Sequence, residues 1–277
     1  MRMSEDTQVI VFATAEAPQR KQLAEQGGFP VASSTRELTE LIEATQSPRV
    51  VVVPASTGRD LTAITQVAQT LTWLKSSGSV PQLLLAAPIF NDTYTIAYLR
   101  RRIRAATQRG SDALAFVAQA VDPFADAELF RRVRLAEQYS EKIQVSLCFD
   151  AKLPTKADVF PTLEQTMHTL DKLGATRVEL ARADLGLWED GEQRFDLCGA
   201  RALHTAIHLS ARNAQHAAEH GDDGLAAGLL ADHAAGFAHS HGDEDGHAHQ
   251  HEHSHQHGHS HPHIHAHSHA HAHPRTH

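Results

Sequence analysis

The chain runs to 277 residues, 41% hydrophobic and 5% aromatic, with a formal net charge of −8 when histidine is neutral. That balance argues against a nucleic-acid partner, whose footprint is basic. With 23 histidines, the charge nevertheless depends on pH, because imidazole titrates near neutrality.

In chain order, "QVIVFATA" (Gln8–Ala15) predicts a buried strand, and a polar helix follows over Gln19–Gln26. A weaker strand near "FPVASS" leads to "TRELTELIEAT", where Leu38, Leu41 and Ile42 recur at helical spacing. "RVVVVPASTG" is the strongest strand signal, four consecutive valines stopped by Pro54. Such a run suits a strand covered on both faces, as in a parallel sheet. The next helix places Leu61, Ile64, Val67, Leu71 and Leu74 on one stripe. The strand "PQLLLAAPIF" then precedes the helix "DTYTIAYLRRRIRAATQRG".

From about Asp112 the scheme repeats. "DALAFVAQAVDPFADAELFRRVRLAEQ" reads as strand, loop and helix, and "IQVSLCFDA" as a strand. "FPTLEQTMHTLDKLG" predicts a helix with Leu163, Met167, Leu170 and Leu173 on its apolar side, before the strand in "ATRVELARADLG". The expected fold class is α/β: two similar lobes, each a mainly parallel sheet flanked by helices. The lobes are expected over residues 7–109 and 110–198, with a helical extension over 199–237 and a disordered histidine-rich tail over 238–277. Ligands of such sheets bind beyond the carboxyl ends of the strands.

Cys148 and Cys198 make no disulfide framework, and Cys148, within "VSLCF", reads as a small buried hydrophobe. No secretory signal is evident in "MRMSEDTQVIVFATAEA", and no run approaches a membrane span. A cytoplasmic protein with no membrane partner is expected.

This order and spacing, over about residues 7–187, resembles the class II tetrapyrrole chelatases, particularly the sirohydrochlorin cobaltochelatases of the anaerobic cobalamin pathway. "RVVVVPASTGRDLTAI" looks like the family's strand, proline and Gly-containing turn opening a helix. "DPFADAELFRRVRLAEQ", with Arg134 and Leu135, resembles the start of the family's second half, and "LDKLGATRVEL" the approach to its last strand. Long family members often carry histidine-rich stretches. The resemblance implies a chelatase fold, a sirohydrochlorin-like substrate and a divalent metal, cobalt or nickel. It also implies a loop histidine after the first strand and another after the valine strand. Here those turns read "FATAEAP" and Gly58-Arg59-Asp60, and the first histidine in the chain is His168.

Metal insertion requires a metal donor, a base for two pyrrole protons and a cleft for the macrocycle. Glu16 and Asp60, in the two strand-end loops, are the candidate catalytic carboxylates; Asp122 and Asp184 stand in the matching loops of the second half. Each also reads as a turn or helix-cap acid. Thr57, Gly58 and Arg59, in "STGRD", are candidate substrate-binding residues, since backbone N–H groups at a helix N-terminus cradle anions. Arg100–Arg104 ("RRRIR") reads as a solvated helix face or an attractor for an acidic substrate.

His204 and His208 are four residues apart, as are His216 and His220, which puts each pair on one helix face. His204 and His208 are metal-ligand candidates. The tail is the most specific signal: His247, His249, His251, His253, His255, His257, His259, His261, His263, His265, His267, His269, His271 and His273 alternate without a break. At two to four imidazoles per ion, these fourteen would hold about four to seven divalent ions of cobalt, nickel or zinc. No organic cofactor is expected. The leading function is a cobaltochelatase-like protein whose tail captures metal for a cleft; the second is a non-enzymatic metal store or metallochaperone on a chelatase scaffold, and the third a subunit that pairs with an active chelatase. A protein partner in metal delivery is expected.

Overall fold

A computed structural model describes residues 6–77, 81–138, 143–150, 160–187 and 196–234. The first half alternates β1 (Thr7–Ala13), α1 (Arg20–Gly27), β2 (Val31–Ala32), α2 (Thr35–Glu43), β3 (Arg49–Ala55), α3 (Leu61–Ser76), β4 (Gln82–Leu85) and α4 (Asp92–Gln108). The second half carries β5 (Ala113–Gln119), α5 (Pro123–Glu137), β6 (Gln144–Asp150), α6 (Leu163–Lys172) and β7 (Val178–Arg182). Three helices follow: α7 (Ala200–Glu219), α8 (Leu225–Leu229) and α9 (Ala231–Ala234). The strands form two parallel sheets, ordered β2-β1-β3-β4 and β6-β5-β7. The second order repeats the first three strands of the first, so the fold is α/β with two like-wound sheets flanked by helices.

The valine run behaves as a two-faced strand should. Val51 and Val53 join Val9 and Val11 in one core, while Val50 and Val52 join Ile10 and Phe12 in the other. Each such fully buried side chain contributes about 1.5–3 kcal/mol over its exposed state. Pro54 does not stop the strand: β3 continues to Ala55, with Pro54 in register with Phe12. The reason is geometric. Val52 and Pro54 present their backbone polar groups to the β4 side, where Val52 O accepts from Ala86 N at 2.9 Å. Strand pairing with β4 has ended there, and Pro54 needs only its carbonyl, which accepts from Ile89 N at 3.2 Å.

Side-chain caps start the helices where the sequence offers a polar residue. Ser34, Asp60, Asn91, Asp122 and Thr162 each accept from a backbone N–H of the first turn. In α6 the expected apolar stripe is narrower than predicted. Leu170 is fully buried, but Leu173 is 64% and Met167 36% exposed, and Thr166 takes the other buried place. Cys148 and Cys198 are both buried, their thiols pushed up by burial to about 11 and about 12.

The helix that follows the strands of each half, α4 after β4 and α7 after β7, packs on the other half. Leu99, Ile103 and Ala106 of α4 pack with Leu114, Phe116 and Ala118 of β5, while Leu203, Ile207 and Ala211 of α7 pack with Leu23, Val51 and Leu84 of the first half. Thus α7, expected as an extension, is a wall of the first sheet's core. The chain divides into compact units at residues 1–237 and 238–277. Among the described residues the buried apolar side chains lie between Val9 and Leu225, so a chain ended at Phe237 keeps this core. The histidines from His247 to His273 lie outside the described residues. Among the described residues, no helix is long and apolar enough to cross a membrane.

Candidate functional site

Because β1 and β3 pair in register up to Ala13 and Ala55, the loops that follow them lie side by side. Thr14 Oγ1 fastens them by donating to Ala55 O at 2.8 Å. Glu16 is thereby carried into the "STGRD" turn. Its carboxylate accepts from the Ser56 and Thr57 hydroxyls, and from the backbone N–H groups of Thr57 at 3.1 Å and Asp60 at 3.3 Å. Arg59 Nε lies 3.3 Å from Glu16 Oε2, an ion pair with both side chains fully enclosed. The turn cradles an anion, and its occupant is the protein's own carboxylate.

Arg59 also spans the two halves. It donates from Nη1 to Asp126 Oδ1 at 2.8 Å and from Nη2 to Gln119 O at 2.6 Å. From the opposite direction Arg132, on α5, donates to Thr57 O at 2.9 Å and to Thr57 Oγ1 at 3.1 Å, and pairs with Asp92 at 2.7 Å. Burial pushes the Glu16 carboxyl up, but Arg59, the two hydroxyls and Arg132 outweigh it and hold the group below the usual carboxylate range. Glu16 is therefore an enclosed, fully satisfied anion. It has no path to a macrocycle's pyrrole protons.

Asp60 differs. It caps α3 through Ala63 N at 3.1 Å and accepts from Ala15 N at 2.9 Å. Burial, with the Glu16 charge adding to it, raises its carboxyl above the usual range despite those two bonds. It also lines a cavity of about 540 Å³ with Thr14, Ser33, Gln66 and Asp122. Gly58 adopts φ +83°, and a Cβ there would lie 3.8 Å from Phe90 O. A histidine at that turn position would carry the strain of a left-handed backbone.

The second half closes in the same way. Buried Arg182 pairs with Asp184 at 3.0 and 3.1 Å, and Asp184 also accepts from Gln119 N at 2.5 Å and Gly186 N at 2.9 Å. Tyr98 of α4 donates to Arg182 O at 3.0 Å. Asp122 is spent as the α5 cap, accepting from Phe124 N at 2.8 Å and Ala125 N at 2.9 Å. In the Arg100–Arg104 cluster, Arg100 donates to Leu135 O at 3.1 Å, while Arg101 and Arg104 are exposed. Sequence reasoning passed over Arg132, Arg182, Gln119 and Asp126. One signal was present: Arg132 falls on the stripe of Ala125, Leu129, Val133 and Ala136, so it is a charge on an apolar helix face.

The larger concavity lies along α7. A groove of about 1340 Å³ runs from Gly58, Phe90 and Tyr94 past Leu209 to Gly228 of α8, with Arg201 on its rim. Its walls are chiefly apolar, and its inner end abuts the carboxyl ends of β3 and β4.

The two histidine pairs stand elsewhere on α7. His204 Nδ1 lies 2.7 Å from Gly27 O, at the end of α1, and its ring stacks on Phe29 at 5.0 Å. His208 meets the same Phe29 edge-on at 5.6 Å, and the two imidazole centroids are 5.1 Å apart. Burial, then the neighbouring His204 and Arg212, lowers the His208 pKa from its ordinary value. His216 and His220 have centroids 4.9 Å apart, and His216 Nδ1 lies 3.2 Å from Glu219 Oε2. Among the described residues, no cluster of three or more His, Cys, Asp or Glu side chains is placed to hold a metal ion. No known family model and no curated protein matches the chain.

Proposed function

We propose that this chain is a cytoplasmic, chelatase-like metal-supply protein of tetrapyrrole metabolism. Its histidine-rich segment, His247–His273, gathers cobalt, nickel or zinc and releases it for insertion into a sirohydrochlorin-type macrocycle. The observation that carries this reading is the fate of the "STGRD" turn. Its N–H groups, its hydroxyls and Arg59 are taken by Glu16, so the strand ends are committed to holding the lobes together. Metal-binding capacity then rests on imidazoles, and fourteen of them alternate in the tail. On this reading the metal is cargo, and a protein that receives it is the partner.

A second reading, insertion by this chain itself, draws support from the groove of about 1340 Å³ ending at β3 and β4. That space is ample for a planar macrocycle, although Asp60, the carboxyl raised by burial, lines the separate cavity of about 540 Å³ and not this groove. One experiment separates the two. Sirohydrochlorin and limiting cobalt or nickel are mixed with full-length chain, or with chain ended at Phe237, and the macrocycle absorbance is followed. The supply reading expects faster insertion by a partner chelatase when the full-length chain holds the metal, and no acceleration by this chain alone. Acceleration by the tailless chain alone would overturn it in favour of insertion. Equal rates with full-length and tailless chain beside the partner would sink delivery by the tail.

A further inference from the structure

The geometry points to two divalent-metal sites on α7, His204/His208 and His216/His220, each a two-imidazole chelate with an oriented ring. The first argument is spacing. Two imidazoles bound through one nitrogen each, at about 2.0–2.1 Å and roughly 90–110° apart around one ion, have centroids about 4.5–5.2 Å apart. The observed separations are 5.1 Å and 4.9 Å. Helical i,i+4 spacing supplies this separation from the backbone alone.

The second argument is tautomer. Gly27 O is only an acceptor, so His204 Nδ1, at 2.7 Å, carries the hydrogen and Nε2 keeps its lone pair. Glu219 does the same for His216, its carboxylate 3.2 Å from Nδ1. A histidine that donates its far N–H to a carbonyl or carboxylate is oriented as a metal ligand, with that acceptor fixing the ring and raising its basicity. One member of each pair has such a partner. Phe29 additionally holds both rings of the first pair.

The local sequence is shaped for the first site. The position a Cβ would take on Gly28 lies 3.3 Å from His204 Nδ1, and Gly28 has φ +75°. The Gly27-Gly28 end of α1 thus lets the histidine ring reach the helix's last carbonyls. Two protein ligands leave the remaining positions of an ion to water, which makes these exchange sites rather than structural ones. They would take cobalt, nickel or zinc in transit. This deepens the metal-supply reading but is read out without the tail.

The test uses the chain ended at Phe237, which retains the core, with Ni²⁺ or Zn²⁺ alone as titrant in calorimetry. Two ions per chain are expected, one for His204→Ala, one for His216→Ala, and none for the double variant. His208→Ala and His220→Ala, which leave the Gly27 and Glu219 contacts in place, should give the same single losses, with unchanged circular dichroism. Glu219→Ala should weaken the second site about tenfold or more. Binding that persists in the double variant, or is absent from the parent, would overturn the assignment. An unchanged second site in Glu219→Ala would overturn the orienting role of that carboxylate. Loss of delivery by the full-length chain with both α7 sites intact would instead count against the tail alone.

Discussion

The strand ends and the outer face of α7 handle polar side chains in opposite ways. At the strand ends, Glu16, Arg59, Arg182 and Asp184 are buried, and each is ion-paired within the chain, Arg59 also reaching Asp126 on α5. On α7, the exposed His204 and His216 each have Nδ1 engaged by an acceptor of the chain. A buried charge whose partners are all internal contributes to architecture and cannot exchange a ligand. A half-engaged imidazole at the surface contributes little to architecture and keeps a lone pair for cargo.

The largest effect should come from breaking the enclosed set. Arg59→Ala leaves Glu16 charged and buried without its main partner, and should cost about 3–5 kcal/mol in urea unfolding. A cost near zero would mean that the lobes are not held there. Next is the pH dependence of the same group. Glu16 sits below its ordinary value of 4.5, so its stabilisation is complete above that pH and lost as pH falls through the lower, folded-state value. The stability gap between the parent and Glu16→Gln should therefore be full at pH 7 and shrink below about 4.5.

Asp60→Asn sharpens the contrast within one turn. The Asp60 carboxyl is raised, so the folded state favours its protonated form and loses stability as pH rises from 3.8 through the folded value. Asparagine offers one acceptor oxygen where the Asp60 carboxylate takes N–H bonds from both Ala63 and Ala15, so the change relieves a buried charge but loses a bond and should cost about 1 kcal/mol at pH 7. His216→Ala, on an exposed face, should shift stability by less than about 0.5 kcal/mol while abolishing an ion site. Smallest of all, Glu40→Ala removes the exposed Arg36–Glu40 pair and should fall within about 0.5 kcal/mol.

Much of the fold was legible because burial writes itself into local pattern. Val50–Val53 announced a two-faced strand, and the stripe from Ile64 to Leu74 announced the helix beside it. The repeated order of strands followed from the repeated spacing. The filling of the cradle was not legible, because Glu16 and Thr57 are 41 residues apart and meet only through strand register. The place of α7 was hidden for the same reason: its partners Leu23 and Val51 lie far back in the chain. Pro54 misled because its tolerance depends on where the neighbouring strand ends.

The exchange of α4 and α7 between the halves also governs how the chain is made. The first sheet's core lacks a wall until Leu203, Ile207 and Ala211 have emerged from the ribosome. Although β1–β4 are synthesised first, they wait with Val9, Val51 and Leu84 uncovered while the second sheet is translated. Early contacts of that sequence separation close slowly and leave apolar surface open in the interval. The molecule is thus finished from its far end, and the nascent first half is the stage at which a chaperone would meet it.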